Sequence, residues 1–407
     1  MERVFSRRLI NSLLLSILCT NMGDSILYIL VIWIYNNDNV SPIILASIFT
    51  VTSIIDATSF LWGPVIDNSV PYKTLFKTSS LQTLMIFFCV LAIVLEINGS
   101  NYFILMSFII IYILSTIIYP SAKKVIPCLV EDNRLIETNS FFQTCVKVMD
   151  VMFNALSAVI ISHIERRYLM IIVLIIFTMA SLQYFFVSKY VIYNCEKNSE
   201  NLSSNYFFEL KKGIHEILYH KEVMMFFVPI SIVNFFYGVA ITGLPVFSRK
   251  YITDGPSGYG GLLFASSLGG IAGTYIVRKI KLEKYDISCL LCMMLTIAGG
   301  AWLGMAITIK YCCILAYIFI FFNNGSINMM NIIFVSLLQK NISFDLLGRV
   351  STFTESFAYV MIPLGNFIGG CLLLTHDSIL LEEMYGVALI FCALLYLMPS
   401  KNMNKKN

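Results

Sequence analysis

Asp24 stands in the polar patch Thr20-Asn21-Met22-Gly23-Asp24-Ser25, in the middle of a run that is otherwise apolar. Placing an ionisable side chain in such surroundings costs about 2.5–3.5 kcal/mol on membrane-insertion scales, so each one found there needs a reason. Asp56, Lys147, Asp150 and Glu355 share that situation. Burial penalises the charged form of a carboxyl, so the chemistry open to these groups is the uptake and release of a proton. Lys147 and Asp150 are three residues apart and share one helix face. Either the ammonium keeps Asp150 ionised and leaves Asp24 or Asp56 to titrate, or the two neutralise one another as a structural pair.

A second constellation is made of amides. Asn324, Asn328 and Asn331 follow the i, i+4, i+7 spacing of one helix face, directly after Asn323. They can contact a polar solute in a water-filled cavity, or hydrogen-bond neighbouring helices as Asn commonly does in membrane bundles. Asn234 with Tyr237 poses the same choice, and Asn21, in the polar patch beside Asp24, joins the proton-coupling or cavity candidates.

The elements that must position these residues follow from composition. Hydrophobic residues make up 58% of the 407 positions and charged residues 13%, against about 45–50% and about 25% in a soluble domain. So little charge cannot wet a globular surface, and the surplus apolar surface faces lipid. Apolar segments run near 9–35, 43–66, 73–96, 102–120, 140–162 and 168–190, then 223–248, 258–278, 286–308, 312–337, 346–374 and 380–398. The expected fold is an all-α membrane protein of twelve transmembrane helices in two six-helix bundles. Residues 1–190 form the first, 191–220 a polar linker, and 221–407 the second. Phe207 to Tyr219 in the linker suits either an amphipathic surface helix or a plain connection.

Lysine and arginine set the orientation. With the N-terminus in the cytoplasm, the outer segments hold only Arg166, Arg167, Arg249, Lys250 and Lys310; the other loop cations fall inside. That asymmetry predicts both termini in the cytoplasm. Arg3, Arg7 and Arg8 precede an apolar stretch too long for a signal peptide, which reads as the first span. The eleven cysteines are scattered through apolar runs without metal or disulfide spacing, and read as small apolar fillers. The glycine runs Gly258-Tyr259-Gly260-Gly261, Gly269-Gly270 with Gly273, and Gly365 with Gly369-Gly370 predict close helix approaches. No Gly-x-x-x-x-Gly-Lys-Ser/Thr loop is present, which argues against a self-contained ATP-driven pump.

The loop Gly63-Pro64-Val65-Ile66-Asp67 through Lys73 resembles the signature loop of major facilitator transporters, Gly-x-x-x-Asp followed by a basic cluster. The pattern's arginine and second glycine are missing. The resemblance implies a latch in which Asp67 meets the positive N-terminus of a helix beginning near Leu347-Gly348-Arg349. The string Pro120-Ser121-Ala122-Lys123-Lys124, Ile126-Pro127, Asn133-Arg134-Leu135 and Asn139-Ser140 is similar to the helix 4–5 connection of the macrolide-efflux and enterobactin-exporter branch. Leu347-Gly348-Arg349-Val350 with Pro363-Leu364-Gly365, and Gly258 to Gly273, resemble the same branch. Phe153-Asn154-Ala155 replaces the Gly-Pro element such exporters often carry, and the polar face of Lys147 and Asp150 speaks against purely apolar drugs.

These features lead to the expectation of a proton-coupled exporter of a small molecule, siderophore- or metallophore-like or a drug, working by alternating access. The partners expected are that solute, protons and the lipid bilayer. No cofactor, metal or nucleic acid is expected, and the chain should be a monomer in the plasma membrane. The alternatives are a proton-coupled nutrient uptake symporter and an integral-membrane enzyme on lipid-borne substrates. The enzyme reading lacks clustered catalytic groups, since His163, His215, His220 and His376 are dispersed.

Overall fold

The computed structural model describes residues 2–36, 40–62, 70–129, 135–195, 227–253, 255–277, 279–280, 285–341 and 358–397. These form an all-α, multi-pass membrane protein. The helices are α1 (Glu2–Tyr35), α2 (Pro42–Ala57), α3 (Pro71–Val94), α4 (Ser100–Leu129), α5 (Leu135–His163) and α6 (Arg166–Cys195). They continue as α7 (Phe227–Tyr251), α8 (Pro256–Val277), α9 (Ile287–Thr308), α10 (Ile314–Asn341), α11 (Ile362–Leu372) and α12 (Ser378–Leu397). Among the described residues, nine helices are long and apolar enough to cross a bilayer. Three shorter apolar helices, Pro42–Ala57, Met152–His163 and Ile362–Leu372, lie where the sequence places the second, fifth and eleventh spans.

Local rules account for several boundaries. α2, α3 and α8 begin on Pro42, Pro71 and Pro256, where a missing N–H costs nothing. Asp286 caps α9 by accepting from the Ser288 N–H at 3.2 Å. The turn between α3 and α4 uses Gly99 at φ 88°, a left-handed conformation that glycine adopts without strain.

The chain divides into two compact units, Met1–Asn37 with Thr58–Ser204, and Asp38–Ala57 with Asn205–Asn407. In the first, α3 packs on α4 and α6, and α1 packs on α4, α5 and α6. Its core gathers Leu13, Ile17, Tyr72, Ile118, Phe142 and Tyr184. Gly23 admits α6 against α1: a Cβ there would lie 2.6 Å from the Phe177 ring.

In the second unit α8 packs on α10, α9 on α10 and α12, and α7 on α11 and α12. Glycine sets these distances. A Cβ added at Gly269 would strike the Phe321 carbonyl, and one at Gly273 the Gly325 carbonyl, so α8 and α10 meet backbone to backbone. Gly365 against Phe235 and Gly238 against Ile362 do the same for α11 and α7. Between helices that have no hydrophobic drive to associate in lipid, this close approach supplies the packing attraction. α2, though early in the chain, belongs to this unit and lies on α11. The helices' outward faces carry large apolar side chains such as Phe87, Met106, Leu182 and Tyr275, the inverse of a soluble protein's surface.

Candidate functional site

Asp24 is half-buried on α1, one position after the glycine that admits Phe177. The Ser115 hydroxyl on α4 donates to Asp24 Oδ2 at 2.8 Å, and the Tyr119 hydroxyl, one turn further on, reaches the same oxygen at 3.5 Å. Gln82 on α3 is completely buried. Its amide donates to Ser115 Oγ at 2.9 Å and to the Ile111 carbonyl at 3.2 Å. Three helices therefore converge on one carboxylate through a relay of neutral groups. Such donors hold the ionised form by hydrogen bonds that reinforce one another. Asn21 is buried one turn before Asp24 and its Oδ1 accepts a long bond from Ser25 at 3.5 Å.

The amides of α10 divide. Asn324 donates to the Ser266 carbonyl at 2.9 Å and to Ser266 Oγ at 2.5 Å. The Asn328 amide lies against Gly270 one turn along α8, 2.9 Å from where a Cβ would stand. Asn331 is exposed. Asn323 turns the other way and donates to the Ala298 carbonyl of α9 at 3.0 Å. Asn234 on α7 donates to the Ala358 carbonyl at 2.6 Å. Asn323, Asn324 and Asn234 thus each engage a backbone carbonyl of another segment, which is the helix-tying use of asparagine.

Asp56 is exposed near the end of α2, in the other unit from Asp24. Lys147 and Asp150 both lie on α5, with side chains outside what is described. Glu355, Gly63, Asp67 and Arg349 lie outside the described residues, as does the 207–219 segment. Lys73 is exposed at the start of α3, its ammonium 5.9 Å from the Tyr72 ring centroid.

Of one cluster, sequence reasoning found Tyr237 and missed Glu382, Trp302 and Tyr385. Glu382 on α12 is completely buried and its Oε2 accepts the Trp302 indole N–H from α9 at 2.9 Å. Trp302 packs edge-on against Tyr385 at 4.9 Å, and Tyr385 against Tyr237 at 5.8 Å. The pair Glu382-Glu383 near the start of an apolar segment resembles a solvated helix end; Trp302, alone among the apolar residues of α9, was the available signal.

At the mouth of α12, Asp377 receives hydrogen bonds from Lys250, from Tyr251 at 2.8 Å and from the Ile379 N–H at 3.1 Å. Partial burial opposes its ionisation, but these donors and the Lys250 charge outweigh it and hold the carboxyl at about 2. This clamp joins the α11–α12 connection to the end of α7. Among the described residues no three His, Cys, Asp or Glu side chains are grouped to hold a metal.

The search of the curated proteins finds no match to this chain. Solved structures share its fold at low sequence identity. A bacterial homolog to the human lysosomal transporter Spinster aligns with TM-score 0.71 at 12% identity, over 97% of this chain and 95% of that one. A peptide transporter, POT, aligns with TM-score 0.70 at 11% identity, over 95% and 93%. The nucleoside transporter NupG aligns with TM-score 0.67 at 12% identity, over 96% and 99%. The family model described as Major Facilitator Superfamily matches residues 13–366, and with membrane-spanning helices, buried polar networks and fold in agreement, the chain belongs to that superfamily of secondary transporters.

Proposed function

We propose that the chain is a proton-coupled symporter that takes up a small hydrophilic solute across the cell membrane. In this reading twelve spans form two six-helix bundles with both termini in the cytoplasm, and Asp24 is the group that exchanges the proton. The observation that carries it is the Asp24–Ser115–Gln82 relay: a carboxylate, a hydroxyl and an amide from three helices meeting in an apolar bundle. Such a relay suits solutes with many hydrogen-bonding groups rather than apolar drugs. Peptides and nucleosides, the solutes named for two of the structural neighbours, are of this class, and that supports uptake over the export expected from the sequence.

Export remains the second reading. It rests on the likeness of Pro120–Lys124 and Asn133–Ser140 to the macrolide-efflux and enterobactin-exporter branch. No curated relative of that branch matches the chain, so a siderophore-like cargo has no further support. An untargeted comparison of cells and medium, with and without the gene, separates the two. Uptake predicts a compound that stays in the medium when the gene is absent. A compound retained inside such cells would overturn uptake in favour of export.

A further inference from the structure

Glu382 is a fully buried carboxyl whose surroundings are built of aromatic rings and helix backbone. One oxygen, Oε2, accepts the neutral Trp302 N–H; the other, Oε1, has no hydrogen-bond partner among the described residues. Oε1 lies against Gly243 of α7, 3.3 Å from where a Cβ would stand, so α7, α9 and α12 close around it. From α9 the group met is Trp302, which does not titrate. On α12 itself the titratable neighbour is the Tyr385 phenol, which packs in turn on the Tyr237 ring of α7. Glu383, the next residue of α12, is only half-buried. Among the described residues, Lys250 is paired with Asp377 and Lys310 is exposed beyond α9. As an anion, Glu382 would therefore hold a full charge in the bundle against one neutral donor, which is the costliest state for a buried carboxylate. As an acid it carries no charge, and the unpartnered oxygen is the atom that bears the hydrogen.

We propose that Glu382 is a proton-binding site of the second unit, occupied while α7, α9 and α12 are packed around it. No metal ion fits, since one carboxylate among rings offers too few oxygens for any hard cation. Release breaks the Oε1–H bond, leaves the electron pair on the carboxylate and passes the proton to water, so it requires the three helices to part enough to admit water. The role of the site in transport rests on the proton-coupled reading above; its occupancy does not.

The test is infrared spectroscopy of the full-length protein in lipid nanodiscs at neutral pH. The wild-type-minus-E382Q difference should contain the carbonyl stretch of one protonated carboxylic acid. W302F keeps the carboxyl and removes its donor, so it should shift that band to higher frequency; this arm serves alone if E382Q fails to fold. A difference spectrum with carboxylate stretches in place of the acid band, or a W302F spectrum with every acid band unmoved, overturns the proposal. Transport that is indifferent to a proton gradient, with the band intact, would instead overturn the coupling reading and leave the site standing.

Discussion

The Ser115 hydroxyl donates to Asp24 Oδ2 at 2.8 Å while accepting from the Gln82 amide at 2.9 Å, so one small side chain links the carboxylate of α1 to α3 and α4. That position makes Ser115 a graded test of the site. Asp24→Asn should abolish proton-driven uptake while the protein still reaches the membrane. Ser115→Ala should only weaken it, since a hydrogen bond to a charged group contributes about 1.5–3 kcal/mol. Uptake into proteoliposomes with an imposed pH gradient measures both, and full activity in the Asp24 variant would remove it from the mechanism.

The glycine contacts predict a sharp positional contrast. Gly365→Val and Gly269→Val should each lower the thermal midpoint in detergent, with overpacking costs of about 1–3 kcal/mol or more, because the added atoms meet the carbonyls of Phe235 and Phe321. Gly300→Ala has nothing within 4 Å of the new Cβ and should be tolerated. Equal losses at all three positions would contradict the packing described.

Asn366 ties α2 to α11 by donating to the Phe49 carbonyl at 2.8 Å and to Ser53 Oγ at 2.9 Å. Asn366→Leu should cost about 1 kcal/mol, the scale of interhelical hydrogen bonds measured in membranes. A double-mutant cycle with Ser53→Ala, read by thermal unfolding, should be non-additive; additive losses would mean the bond contributes nothing.

The Asp377 clamp carries a pH signature. Its carboxyl is held at about 2, below the ordinary value for aspartate of about 3.9. Stability from this group is therefore complete above the unfolded value and is lost as pH falls from about 4 toward 2. The pair is well exposed, so Asp377→Asn should cost only about 0–1 kcal/mol at neutral pH. The variant's thermal midpoint should converge on the wild type's at the acid end, and a gap that widened there would reverse the assignment.

Much of the fold was legible because lipid imposes a simple pattern. The runs near 9–35, 73–96 and 286–308 become Arg8–Tyr35, Pro71–Val94 and Ile287–Thr308, since twenty or so apolar residues have few other fates. Asp24 was legible for the converse reason, as a charge where charge is expensive. Its partners were not: Ser115 and Tyr119 lie 91 and 95 residues away, and no local spacing links them to it. Glu382 escaped because its burial is created by Trp302 and α7, which only the folded chain brings together. The i, i+4, i+7 asparagines show the limit of periodicity, which finds a shared face but not which neighbour covers it; Asn331 has none of the packing of Asn324.

α2 settles on α11, and the bond from Asn366 to the Phe49 carbonyl spans 317 residues of sequence. At a synthesis rate of about 5–20 residues per second, α2 waits about 15–60 s in the bilayer before its partner is made. During that interval its Phe49–Ser53 face and the small surface of Ala46 are open to lipid or to a chaperone of the insertion machinery. Biogenesis of this chain is therefore vulnerable late: a truncation before residue 362 should leave α2 inserted but unclaimed and prone to clearance. The C-terminal helices thus finish a structure that was begun at the other end of the message.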